Sequence, residues 1–504
     1  MMENIFKRYK EILFFGFSLV LISLGLGIWR TINEATIQGT VVEIVLKRFL
    51  EIIPLLGLGF LKLGIGFAIV TIVKSIKSTG ENATGSFKKA GLKLEDYKAP
   101  FFAKSFPIML IAGILFELVA AVIMIFWIIA GVNGNEFANH IYEIITVPIE
   151  GLGVALLIGG IAFGLTTIVL NLGIQVNELP KRLKALVKGE KDLEGLQPRS
   201  LIPRWTKIVT ITGMIVTASA LIPVAIIRAV HYAVNYSPTY ETPVGLNALL
   251  WDTWIFLGIA ILLFAISYWL LRIIKWLRRQ RTQLGKTVEE IAEMEVPTIE
   301  NPLKITTAVH SFATAGLMWM FIFFFVIAIY QAFQETLLGV IPLKMLIKPG
   351  RAISLALLFI GIGLALLTIV VNLNLTAFML PSSFSNIVNA IKKDDTRVEL
   401  PQASDKPLKL SPMKLFIGIL IGSVIVLLGT LPLAILRISY QFQGLTQSQL
   451  TVEHLIGPIV STGVGLIFLM IGLFFSTIVG FVKARKAIIS EGVESCVYYS
   501  TEKK

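Results

Sequence analysis

The stretch GIGFAIVTIV, residues 64–73, decides the fold, because altered copies of it return along the chain. They read GGIAFGLTTIV at 159–169, GIAILLFAIS at 258–267, GIGLALLTIV at 361–370 and MIGLFFSTIV at 470–479. With the Thr as marker (Ala265 in the third copy), the positions are 71, 167, 265, 368 and 477, at intervals of 96, 98, 103 and 109. A second signature closes the apolar run before each marker: GLGIWR at 25–30, VIMIFW at 122–127, PVAIIR at 223–228, VIAIYQ at 326–331 and PLAILR at 432–437. From its last residue to the marker is 41, 40, 37, 37 and 40 residues. Two signatures at a steady offset define a repeated helical hairpin. Its copies occupy approximately 1–104, 105–203, 204–304, 305–411 and 412–504 of one polytopic membrane domain.

Around these motifs lie ten apolar stretches, at 11–29, 52–73, 107–130, 149–174, 207–230, 250–271, 312–333, 352–374, 413–438 and 456–482. Crossing a bilayer takes roughly 20 such residues, and backbone groups in lipid must bond within their own segment, which makes each stretch a helix. No ten-residue alternation of a membrane β-barrel is present. The composition agrees: 55% of residues are hydrophobic, 15% are charged and the mean hydropathy is +0.80, against about 45–50% and about 25% in soluble domains. The basic start MMENIFKRYK precedes a run long enough to span and lacking a small-residue cleavage site, so an uncleaved first helix is expected. The expected fold is an all-α integral membrane protein of five tandem hairpins.

The net charge of +13 is a topology signal rather than a nucleic-acid one. Of 45 Lys and Arg residues, 36 fall in the termini and in the connections 74–104, 176–207, 272–304 and 381–414. Only Arg30, Lys47, Arg48, Arg228, Lys344, Lys348, Arg351 and Arg437 fall on the other side. Cytoplasmic loops carry the excess of Lys and Arg, so both termini are expected in the cytoplasm, with the chain in the cell membrane. The expected partners are the bilayer itself and a membrane protein or a second copy, with no nucleic acid.

The Gly-x-Gly-x4-Thr pattern reads as a packing seam, since small residues let helices approach closely in lipid; hinge glycines are the alternative. Pro148, Pro349 and Pro458 stand 19 residues before their markers, where the second helices are expected to begin, and Pro223 and Pro432 should kink theirs. Two ionisable residues lie deep in spans, Lys62 and Glu117, at similar depth on antiparallel helices. Charges there are costly and pair with one another, so an ion pair is expected, structural or else a proton relay. Arg30, Arg228, Gln331 and Arg437 hold equivalent outer positions and form a cationic collar if the hairpins surround an axis; otherwise they snorkel. Asn171 and Asn372 fall near the inner membrane face, to bond across helices or line a pore mouth.

Glu136, His140 and Glu143 have helical spacing, but the HExxH pattern is absent and a metal there is not expected. His231, His310 and His454 lack ligand-like companions, and the single Cys496 permits no internal disulfide. The charged segments 180–194 and 278–295 read as helices lying along the inner face or docking a partner. No P-loop, Gly-x-Ser-x-Gly or dinucleotide fingerprint occurs, so no enzyme activity and no cofactor are expected. Two functions remain. Passage of a small solute or ion is favoured by the multiplicity and the glycines; a non-catalytic scaffold or accessory subunit is favoured by the scarcity of polar residues in the spans.

Overall fold

A computed structural model of the chain describes residues 6–94, 101–190, 204–234, 243–294, 306–333, 343–392, 398, 411–443 and 446–501. All regular elements among them are helices. In chain order these are α1 (Tyr9–Ile32), α2 (Val41–Lys89), α3 (Phe101–Val132), α4 (Glu136–Lys188), α5 (Arg204–Val234), α6 (Pro243–Ala292), α7 (Thr306–Phe333), α8 (Leu343–Lys392), α9 (Pro412–Leu428), α10 (Leu431–Phe442) and α11 (Thr446–Thr501), with a single turn at Glu34–Ile37 between α1 and α2. Among the described residues, nine helices are long and apolar enough to cross a membrane. The expected span at 207–230 lies in α5, whose side chains are only partly described.

Burial sorts these helices into two ranks. The apolar windows of α2, α4, α6, α8 and α11 are 50–78% buried inside the protein, whereas those of α1, α3, α7 and α9 are 22–39% buried. The first set packs in a closed cycle: α2 on α4, α4 on α6, α6 on α8, α8 on α11, and α11 back on α2. Each flanking helix lies over the groove between its own ring helix and the preceding one. Thus α3 touches α4 and α2, α5 touches α6 and α4, α7 touches α8 and α6, α9 touches α11 and α8, and α1 touches α2 and α11.

Glycines set these approaches. A Cβ on Gly16 would lie 2.7 Å from Gly57 O, one on Gly113 2.9 Å from Gly153 O, one on Gly316 2.9 Å from Ser354 O, and one on Gly422 2.8 Å from Gly463 O. These are backbone-to-backbone crossings of a flanking helix with its ring helix. The Gly-x-Gly pairs serve two neighbours at once: Gly64 admits Leu13 of α1 while Gly66 admits Leu110 of α3, and Gly361 faces Ala313 of α7 while Gly363 faces Ile419 of α9. The marker threonines bond back to their own helix, Thr71 to Phe67 O, Thr167 to Phe163 O, Thr368 to Leu364 O and Thr477 to Leu473 O, at 2.8–3.1 Å.

Side chains fill the centre of the ring. Ile72, Ile168, Ile273, Ile369 and Ile478 line one small cavity together with Ile76, Leu172, Leu277, Leu373 and Val482. The cavity holds about 30 Å³, room for one or two waters. Stepping back along the helices by three and then four residues gives Ile69, Leu165, Leu270, Leu366 and Phe475, then Ile65, Ile161, Ile266, Ile362 and Ile471, all buried. The alternation of three and four is the core spacing of a parallel coiled coil.

Several boundaries depart from the sequence reading. The ring helices have 49, 53, 50, 50 and 56 residues, so at 1.5 Å per residue each is roughly 75–85 Å long. Pro148, Pro349 and Pro458 lie inside them rather than at their starts, and α4 and α8 run on through Pro180 and Pro381. The charged segments after 180 and 278 continue α4 and α6 instead of forming separate surface helices. There the five helices bury a second core, with Phe87, Leu183, Val288, Phe384 and Val493 fully enclosed and Cys496 inside it. Pro432 does interrupt its helix, dividing α9 from α10 at Gly429–Thr430, whereas α5 continues through Pro223.

The third ring helix is also set differently. Gly258 packs on Thr217 N, where its added Cβ would lie 2.6 Å away, as Gly57 packs on Val20 N, and Ile273 and Leu277 enter the central cavity. Arg272, not Ala265, therefore stands level with Thr71. The offset is seven residues, which a heptad pattern cannot register, because seven residues bring back the same face.

Candidate functional site: a polar layer on the axis

Three residues beyond the Ile76 layer, the core position becomes polar on all five ring helices: Thr79, Gln175, Gln280, Thr376 and Arg485. Thr79, Gln280, Thr376 and Arg485 are buried, at 4%, 3%, 1% and 5% exposure. The layer separates the membrane-level core from the second core. Thr79 and Thr376 donate to Ser75 O and Asn372 O in their own helices, and Gln175 Nε2 donates across to Ile76 O at 2.6 Å. Gln280 is different: neither amide atom has a hydrogen-bond partner among the described residues. Arg485 lines the central cavity, and its buried Nε and Nη2 also lack partners there. Buried polar groups are normally bonded, because leaving one bare costs about 1–3 kcal/mol and more for a charge.

Next to this layer, Arg281 Nη2 donates to Asn372 Oδ1 across the α6–α8 interface at 2.7 Å, while its Nη1 is buried without a partner. Asn372 in turn donates to Thr368 O. Asn171 donates to Thr167 O and lines a lateral cavity of about 440 Å³ between α2 and α4. That cavity reaches Thr79 and Gln175 of the polar layer, shares Ile76 with the central cavity, and carries Lys77, Lys88 and Arg182 on its walls. Arg182 is engaged by Glu178 and by Thr84 Oγ1.

The deep charges meet elsewhere. Lys62 Nζ lies 2.5 Å from Glu117 Oε1, joining α2 to α3, with the two residues 4% and 0% exposed. Glu117 fits there because Gly59 and Gly153 face it without side chains; its Oε2 has no hydrogen-bond partner among the described residues. No third ionisable group joins the pair among the described residues.

Of the outer positions, Arg30 lies on a flanking helix, buried, 3.7 Å from Glu43. The side chains of Arg228, Gln331 and Arg437 lie outside the described residues, as do those of Glu136, His140, Glu143, His231 and His454. His310 lines an open groove between α6 and α7 with Lys275 and Arg278. The structure thus brings together Lys62 with Glu117, and Asn372 with Arg281, but gathers neither Asn171 nor Arg30 onto the axis. Gln280 and Arg281 escaped the sequence reading because they lie in the charged segment 278–295, read as a surface helix, and Arg485 because it follows the last apolar stretch. The available signal was a polar residue three positions past an apolar core position on every ring helix.

These features define a polytopic α-helical membrane protein. Comparison of the chain with protein-family models, with curated proteins and with solved structures gives no match to any of them.

Proposed function

We propose that this protein is a non-transporting membrane scaffold: five degenerate hairpins inserted in the same sense, both termini on the cytoplasmic side. The observation that carries this reading is the filled axis. Passage needs a polar lining or a lumen, and four successive apolar layers leave about 30 Å³ at the centre. The repeat multiplicity, kinking prolines and glycines of the sequence tilt slightly toward passage; the packed axis tilts the balance the other way. The five-hairpin organisation is supported by the equivalent glycine crossings and the shared core layers. The sidedness is supported by the basic residues on the ring-helix extensions. Those extensions, reaching well past a hydrocarbon layer of about 30 Å, form a platform on which a partner subunit would sit.

Gated passage is the second reading, favoured by the unpartnered Gln280 and Arg485 on the axis. Flux measurement in proteoliposomes separates the two. The scaffold reading expects sodium, chloride and proton leak equal to that of protein-free vesicles. A reproducible unitary conductance from the purified wild-type chain overturns it.

A further inference from the structure

We propose that the axial polar layer is a binding site for one small monovalent anion, of halide or nitrate size, held by Arg485 and Gln280. A guanidinium carries its charge at any physiological pH and has five donors. Arg485 is 5% exposed, faces the central cavity, and leaves Nε and Nη2 without a protein acceptor. From the other helices this layer receives Thr79, Gln175, Gln280 and Thr376, none of them acidic. The nearby Glu178 is taken by Arg182. Gln280 is 3% exposed with an unused amide donor at the same level. Burying a cation is tolerated when a counter-charge accompanies it, and the protein supplies none here among its described residues. The cavity of about 30 Å³ that Arg485 lines, otherwise walled by aliphatic side chains and Phe475, limits the size of the ion. The lateral cavity, whose walls carry Lys77, Lys88 and Arg182 as well as Glu81 and Glu178, reaches Thr79 and Gln175 of the layer and is separated from the central cavity by Ile76. A bound anion would be structural, so the site stands whether or not the scaffold reading does.

Thermal unfolding of the full chain in an uncharged detergent tests this, at constant ionic strength with chloride exchanged for gluconate. A saturable rise in Tm with chloride is expected, on the order of a few degrees. Bromide and nitrate should reproduce it, and sulfate should not. Arg485→Met should flatten the dependence, whereas Lys483→Gln on the exposed face of the same helix should keep it. Equilibrium dialysis of the wild-type chain with bromide provides a direct count, expected at one per chain. No bound bromide, a Tm indifferent to the anion, or a dependence retained in Arg485→Met overturns the proposal. So does a dependence lost in Lys483→Gln, which would mark surface screening.

Discussion

Glu117 presses its carboxylate into the space left by Gly59, and a methyl group on that glycine would overlap Oε2. The residue is fully enclosed, and among the described residues its bond to Lys62 is the one interaction that offsets its burial. Removing one partner of such a pair costs about 3–5 kcal/mol, because a bare charge remains, whereas replacing both with apolar groups of similar volume is often neutral. Lys62→Met and Glu117→Met are each expected to destabilise the protein by several kcal/mol, with the double variant recovering most of the loss. Unfolding by denaturing detergent measures this. A double variant as unstable as the sum of the two would show that the pair does more than cancel its own charges. These two residues were legible in the sequence because a lysine and a glutamate interrupt otherwise apolar runs. Gln280 and Arg485 were not, since each is one polar residue among many past its apolar run, and the layer emerges only when all five ring helices are set in register.

At the scale of the helix, the crossings of flanking on ring helices are fixed by backbone, which cannot move aside as a side chain does. Gly16→Ala and Gly422→Ala are expected to cost roughly 1–3 kcal/mol by overpacking, since the added methyl meets a carbonyl oxygen at 2.7 and 2.8 Å. Gly25 has nothing within 4 Å of its would-be Cβ, so Gly25→Ala should be neutral or slightly stabilising through helix propensity. The same unfolding assay distinguishes them; equal effects at all three positions would refute the crossing argument. The spans themselves were readable from length and apolarity. The division into ring and flank was harder to read, because lipid, flanking helix and axis are all apolar neighbours and no face of a ring helix stands out as polar. For the same reason Ala265 was an attractive but misplaced equivalent of Thr71: isoleucine and leucine recur every seven residues, and a two-turn slip leaves the pattern intact. The ring-helix extensions were hidden by their charge: 180–194 and 278–295 read as separate surface helices, although Leu183 and Val288 between the charges form a core with Phe87.

The whole molecule behaves as a closed object. Cys496, the only cysteine, is buried in the second core, so it reports when that end opens. Maleimide labelling of the wild-type chain is expected to be slow in the native protein and to follow the unfolding transition seen by other probes. Rapid labelling without denaturant would show that the platform frays independently of the membrane-level core. Closure itself depends on a contact between the two extremes of the chain. Tyr9 bonds to Ser476, Leu13 fills the notches of both Gly64 and Gly472, and α11 packs on α1 and α2. Without α11, α1 and α2 therefore have one flank unmatched. The groups that fill that flank lie on a segment as far as 467 residues downstream. Truncation before α11 is expected to leave α1 and α2 with an open apolar flank and the ring unclosed.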